Sequence, residues 1–164
     1  MSGEGRPTAE AIDAQGLRLG IVSTLWNAEL VEPMVGRALA AAKACGVVEP
    51  VHVQVPGAIE LAVVAQELAA GHDAVVALGA VIRGGTPHFD YVCHSVTDGL
   101  TRVALDARTP VGNGVLTCDT VEQARARNGT AGSAEDKGWE ATVAALHTAV
   151  TLLALRHREH RAGF

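Results

Sequence analysis

The segment GAVIRGGTPHFDYV, Gly79–Val92, runs from aliphatic residues through Arg83, two glycines, Thr86 and Pro87 into His88. Gly84 and Gly85 carry no side chain, so the backbone there can turn its N–H groups toward a ligand. Thr86 adds a hydroxyl, and a helix beginning at His88 would add the positive end of its dipole. Such a set can seat an oxyanion or a phosphate. It can equally be a tight strand-to-helix turn that binds nothing. His88 is either a proton shuttle at the helix start or a surface residue opening that helix.

Other residue types fall at similar junctions. Trp26 follows the first apolar segment, where its ring can stack on a heteroaromatic ligand or cover the core rim. PGAIE, Pro56–Glu60, is a turn that places Glu60 near a helix start. A carboxylate there suits the dipole and can also accept from sugar hydroxyls. Only two lysines occur, Lys43 and Lys137, the second in SAEDKG, where Ser133 and Asp136 resemble a capping box. Arg125 and Arg127 end a short helical stretch and suit its dipole. His157 and His160 in RHREHR read as a basic helix end, and no metal is expected. GxGxxG after the first strand, GxxxxGK[ST] and GxSxG are all absent, which removes dinucleotide, Walker-type and serine-hydrolase readings.

The elements that must position these residues recur at roughly thirty-residue intervals, the pitch of a strand–helix unit. Strands are expected over Leu17–Leu25, Val47–Val55, Asp73–Ile82 and Pro110–Thr117. Helices are expected over Ala28–Cys45 (starting late or kinked at Pro33), Gly57–Ala70, His88–Asp106, a short stretch from Asp119 or Thr120, and Ser133 to His157. Strands joined by helices imply a parallel sheet covered on both faces, with ligands beyond the carboxyl ends of the strands. Residues 1–15 read as a flexible leader and 16–160 as one domain.

Composition narrows the function. Hydrophobic residues make up 48% and aromatics 3%, so the core is aliphatic. The net charge of −5 speaks against a nucleic-acid binder. No apolar run of about 18 residues is expected, hence no membrane span. Cys45, Cys93 and Cys118 lack a CxxC spacing and fit small, buried free thiols in a reducing cytoplasm.

Taken together, Trp26-Asn27, PGAIE, GAVIRGGTPHFDYVC, PVGNGVLT (110–117) and EQARAR (122–127) resemble lumazine synthase. The likeness spans about Leu17–Leu155. Trp26 and SAEDKG resemble the actinobacterial members most. The resemblance implies a flavodoxin-like three-layer α/β sandwich with a four-stranded parallel sheet. It implies a cytoplasmic, transferase-type condensing enzyme of riboflavin biosynthesis that needs no cofactor. Its substrates would be 5-amino-6-(D-ribitylamino)uracil and 3,4-dihydroxy-2-butanone 4-phosphate. Trp26, Ala58, Ile59, Glu60, Ala80, Val81, Ile82 and Asn113 would hold the uracil. Gly85, Thr86, Arg127 and Lys137 would hold the butanone phosphate, and His88 would move protons. Asn113, Arg127 and Lys137 would come from a neighbouring subunit. The long link NGTAGSAEDKG favours a homopentamer over an icosahedral 60-mer. Gly85 departs from the family, where a residue with a side chain is more usual.

Overall fold

β1, Leu19–Thr24, is buried at every position, as a central strand covered on both faces must be. A computed structural model describes Gly5 and residues 8–162, without the side chains of 158–162. After β1 come α1 (Ala28–Ala44), β2 (Val51–Val55), a 3-10 turn (Ala58–Glu60), α2 (Leu61–Gly71) and β3 (Ala74–Ile82). The chain continues through α3 (His88–Ala107), β4 (Val111–Cys118), α4 (Val121–Arg125) and α5 (Lys137–Ala162). The four strands are parallel, in the order β2-β1-β3-β4. This α/β arrangement is the expected one, and its order is flavodoxin-like.

Period-two alternation divides the sheet between two apolar layers. Ile21, Val76, Leu78 and Leu116 face α1 and α5, where Met34, Ala38 and Leu146 are fully buried. Val22, Val75 and Ala77 face α2 and α3, against Leu61, Ala65, Val96 and Leu100. Two glycines let α5 approach closely. A Cβ at Gly138 would lie 2.2 Å from Met34 O in α1, and one at Gly112 would lie 2.3 Å from Ala141 O.

Several expected boundaries move. β2 starts at Val51, not Val47, because Glu49 takes a left-handed φ of 51° and Pro50 follows it. α1 starts at Ala28 and runs through Pro33 without a late start. The helix expected from Gly57 splits into the 3-10 turn and α2. Thr120 caps α4, its hydroxyl accepting from Gln123 N.

α5 begins at Lys137 rather than near Ser133. Asp136 caps it by accepting from Trp139 N at 3.0 Å, whereas Ser133 donates to Arg125 O at 2.6 Å and braces the preceding link. Contrary to the sequence expectation, Lys137–His157 is long and apolar enough to cross a membrane by length and composition. The buried face of α5, including Val143, Ala145, Leu146 and Ala149, is part of the core instead. Part of the expected leader is packed: Ala14 N donates to Cys45 O, and Trp139 Nε1 donates to Ala9 O at 2.7 Å. Residues 1–4, 6 and 7 and the His160 side chain lie outside the described residues.

Candidate active site

The carboxyl ends of the four parallel strands lie along one edge of the sheet, and specific hydrogen bonds join neighbouring junctions there. Leu25 N donates to Val55 O and Trp26 N to Pro56 O, linking the ends of β1 and β2. Asn27 Nδ2 donates to Ala80 O at 2.7 Å, linking β1 to β3. Arg83 N donates to Cys118 O at 2.9 Å, linking β3 to β4. The chain leaves β1 for one side of the sheet, toward β2, and leaves β3 for the other, toward β4. The crevice at such a reversal is where open α/β sheets bind ligands. Trp26 and Ala80–Ile82 flank it.

Local chemistry shapes each junction. Asn27 opens α1 with a φ of 59°, a left-handed conformation that asparagine tolerates better than other side-chain-bearing residues. Its own carbonyl accepts from Leu30 N and Val31 N. Thr24 Oγ1 donates to Trp26 O at 3.1 Å. Together these contacts hold the indole outward, 72% exposed, so within this chain Trp26 does not cover the core. Glu60 turns back so that Oε2 accepts from Gly57 N at 3.0 Å, which closes the turn carrying Ala58 and Ile59.

After β3, Gly84, Gly85 and Thr86 are exposed and precede α3, which His88 opens. Their backbone N–H groups make no hydrogen bond among the described residues. A Cβ at Gly84 or Gly85 would meet nothing within 4 Å. The turn therefore presents a row of open donors beside the N-terminus of a 20-residue helix, the arrangement that suits an anion. His88 is exposed at its edge.

Three further residues expected at the site lie on other parts of the chain. Asn113 is exposed partway along the edge strand β4, opposite Ala77, with Oδ1 accepting from Val115 N. Arg127 lies just beyond α4 and donates to Gln123 O at 2.8 Å, while Nε pairs with Glu135 at 3.5 Å. Lys137 contacts Glu135, and its Nζ lies 2.8 Å from Glu140. Burial works against the Lys137 charge, but these two carboxylates outweigh it and raise its pKa. No hydrogen bond or ion pair joins Arg127 to Gly84–His88 of the same chain among the described residues.

Cys118 is buried and Cys93 half-buried, both free. Burial is the main cause that raises both thiol pKa values, which leaves them poor nucleophiles. Arg83 and Asn27 carry much of the geometry at this edge, although neither was expected among the site residues. Asparagine directly before a helical pattern is the one sequence signal that could have pointed to Asn27.

The family profile described as 6,7-dimethyl-8-ribityllumazine synthase matches residues 16–152, a span that contains every junction above. The chain belongs to this family. A relative from Thermobifida fusca (strain YX), named 6,7-dimethyl-8-ribityllumazine synthase, is 69% identical over 95% of this chain and 91% of its own length. A relative of the same name from Saccharopolyspora erythraea is 65% identical over 100% of this chain and 99% of its own. Another, from Mycobacterium leprae (strain TN), is 59% identical over 95% and 98%. Membership of the lumazine synthase family agrees with the four-stranded parallel sheet and with the actinobacterial cast of the sequence motifs.

Proposed function

We infer that this chain condenses 5-amino-6-(D-ribitylamino)uracil with 3,4-dihydroxy-2-butanone 4-phosphate to 6,7-dimethyl-8-ribityllumazine, releasing phosphate and water. This is the penultimate step of riboflavin biosynthesis. The observation that carries the reading is the gathering of Trp26, Ala58–Glu60, Ala80–Ile82 and Gly85–His88 at one sheet edge in a member of this family.

Each group then has a task that its placement suits. The exposed indole of Trp26 stacks on the pyrimidine, and backbone groups of Ala80, Val81 and Ile82 meet the pyrimidine edge. Ala58, Ile59 and Glu60 hold the ribityl chain. Glu60 has a second oxygen beyond the one accepting from Gly57, and this oxygen accepts from a ribityl hydroxyl. Gly85 and Thr86 seat the phosphate. The 5-amino group attacks the ketone and a water leaves as the imine forms. Phosphate leaves as an enol develops, and the ribityl-bearing nitrogen closes on the second carbonyl with loss of another water. His88 moves protons in these steps. Both substrates are reactive, so holding them in register supplies much of the acceleration.

The same reading makes the pocket a shared one. Within one chain the seat is open: Trp26 is 72% and Ile59 48% exposed, and Asn113, Arg127 and Lys137 lie on β4, beyond α4 and at the start of α5. These three complete the pocket of a neighbouring subunit in a homopentamer, with Arg127 and Lys137 closing on the phosphate. The three free cysteines suit a cytoplasmic enzyme.

Mixing purified protein with the two substrates, and following lumazine absorbance and phosphate release, tests the reading. Formation well above the spontaneous rate is expected. His88→Ala should lose on the order of 10²-fold in turnover without becoming inert. Arg127→Ala should mainly raise KM for the butanone phosphate. Unchanged turnover in His88→Ala would remove His88 from the mechanism, and a background rate in the parent would refute the activity.

A further inference from the structure

Arg83 ends at the glycine pair yet has no task in the condensation above. Its backbone N–H is fixed to Cys118 O at the end of β4. Its side chain reaches two more places. Nε donates to Asp119 Oδ1 at 2.7 Å, just after β4. The terminal nitrogens donate to Asp90 at 3.2 and 3.4 Å, in the first turn of α3. The guanidinium also lies 4.1 Å from the centroid of the Phe89 ring. One residue therefore grips the near end of the turn, the far end beyond His88, and the neighbouring strand.

The segment between those ends has little else to hold it. Two consecutive glycines have the widest conformational freedom of any pair. Neither has a neighbour within 4 Å of the Cβ position, and the N–H groups of residues 84–86 are open. Ordering such a segment on binding weakens affinity, and ordering it beforehand recovers that loss. Each ion pair is partly exposed, with side chains 43–62% accessible, so each alone contributes little. A guanidinium that forks to two carboxylates and stacks on an aromatic face is far better ordered than a lone surface pair.

We propose that Arg83 is a positioning residue for the butanone phosphate: it braces both ends of Gly84–Pro87 against β4, so that the open N–H donors are already in place. This rests on the reading of the turn as the phosphate seat. A lysine can replace it only in part, since an ammonium offers one point charge and no planar fork.

Steady-state kinetics with both substrates, and inhibition by inorganic phosphate, test the brace. Arg83→Gln should raise KM for the butanone phosphate about fivefold, the scale of two exposed ion pairs and a ring contact. The inhibition constant of inorganic phosphate should rise by the same factor. KM for the uracil should stay within about twofold of the parent, because Arg83 acts on the phosphate turn and not on the pyrimidine edge. Arg83→Lys should fall between the two. Asp119→Asn separates bracing from simple charge: it removes an anion near the seat, yet a weakened brace still raises KM for the phosphate substrate. A lowered KM in Asp119→Asn, an unchanged KM in Arg83→Gln, or an equal rise for both substrates with a lowered Tm would each overturn the proposal. An active parent with an indifferent Arg83→Gln sinks the brace alone, whereas an inactive parent sinks the condensation reading with it.

Discussion

Substituting alanine for Gly138 puts the packing of α5 on α1 to a quantitative test. Gly138 is buried at the second position of α5. The added methyl group would lie 2.2 Å from Met34 O, 2.9 Å from Met34 C and 3.0 Å from Met34 Cα. All three are backbone atoms of α1, so no side-chain rotation relieves the contact and the two helices must separate. Overpacking of a core costs about 1–3 kcal/mol, and a backbone obstacle points to the upper end. Alanine returns at most ~1 kcal/mol through helix propensity. The net expectation is a loss of about 2 kcal/mol, or roughly 4–8 °C in Tm for a chain of this size. Gly36→Ala on α1 is the matched control, since a Cβ there meets nothing within 4 Å. It should gain about 0.5–1 kcal/mol. Scanning calorimetry at one protein concentration, because assembly shifts Tm, measures both. A Gly138→Ala protein melting at or above the parent temperature would refute the close-approach argument.

Asn27→Gly keeps the left-handed φ but loses the bond to Ala80 O, whereas Asn27→Ala loses both; Asn27→Ala should be the less stable by about 1 kcal/mol, read by urea denaturation. Both should raise KM for the uracil, because Ala80 is no longer held. Asp73 accepts from Arg18 N at 2.8 Å and from its guanidinium at 3.2 Å. Burial pushes its pKa up, but the Arg18 hydrogen bonds and charge prevail, leaving it below the usual 3.8. A depressed carboxylate stabilises the fold above its unfolded pKa and loses that contribution as pH falls through the folded value. The Tm gap between parent and Asp73→Asn should therefore be full above about pH 5 and shrink as pH falls through the depressed folded value; a gap independent of pH would contradict this.

Most of the fold was legible because apolar spacing switches between strand and helix periods cleanly in so aliphatic a chain. The misses have local causes. Val47 and Val48 read as the start of β2, but Val47 N closes the end of α1 by donating to Ala42 O, and Glu49 reverses the path. Gly57–Ala70 looked like one helix because the Glu60 carboxylate's bond to Gly57 N leaves no trace in hydrophobic spacing. At the site, residues within one motif were readable, since Gly84–His88 are contiguous. The brace from Arg83 to Asp119, 36 residues on, and the Arg127–Glu135–Lys137 group depend on how elements meet, which spacing alone does not encode. Asn27 was visible as a residue type, but its reach to Ala80, 53 residues away, was not.

The division of the core into two layers also bears on how the chain can fold while it is being made. The layer beneath α2 and α3 draws all its members from residues up to Val115. The layer on the other face needs Ala141, Val143, Ala145, Leu146 and Ala149 of α5, which are synthesised last. A nascent chain emerging from the ribosome can thus close one side of its sheet early. The opposite side, with Met34, Ala38 and Leu78, stays bare until α5 clears the exit tunnel. Exposed apolar surface of this kind invites aggregation and chaperone capture. Slowed translation at any point between β3 and the end of α5 would lengthen that exposure.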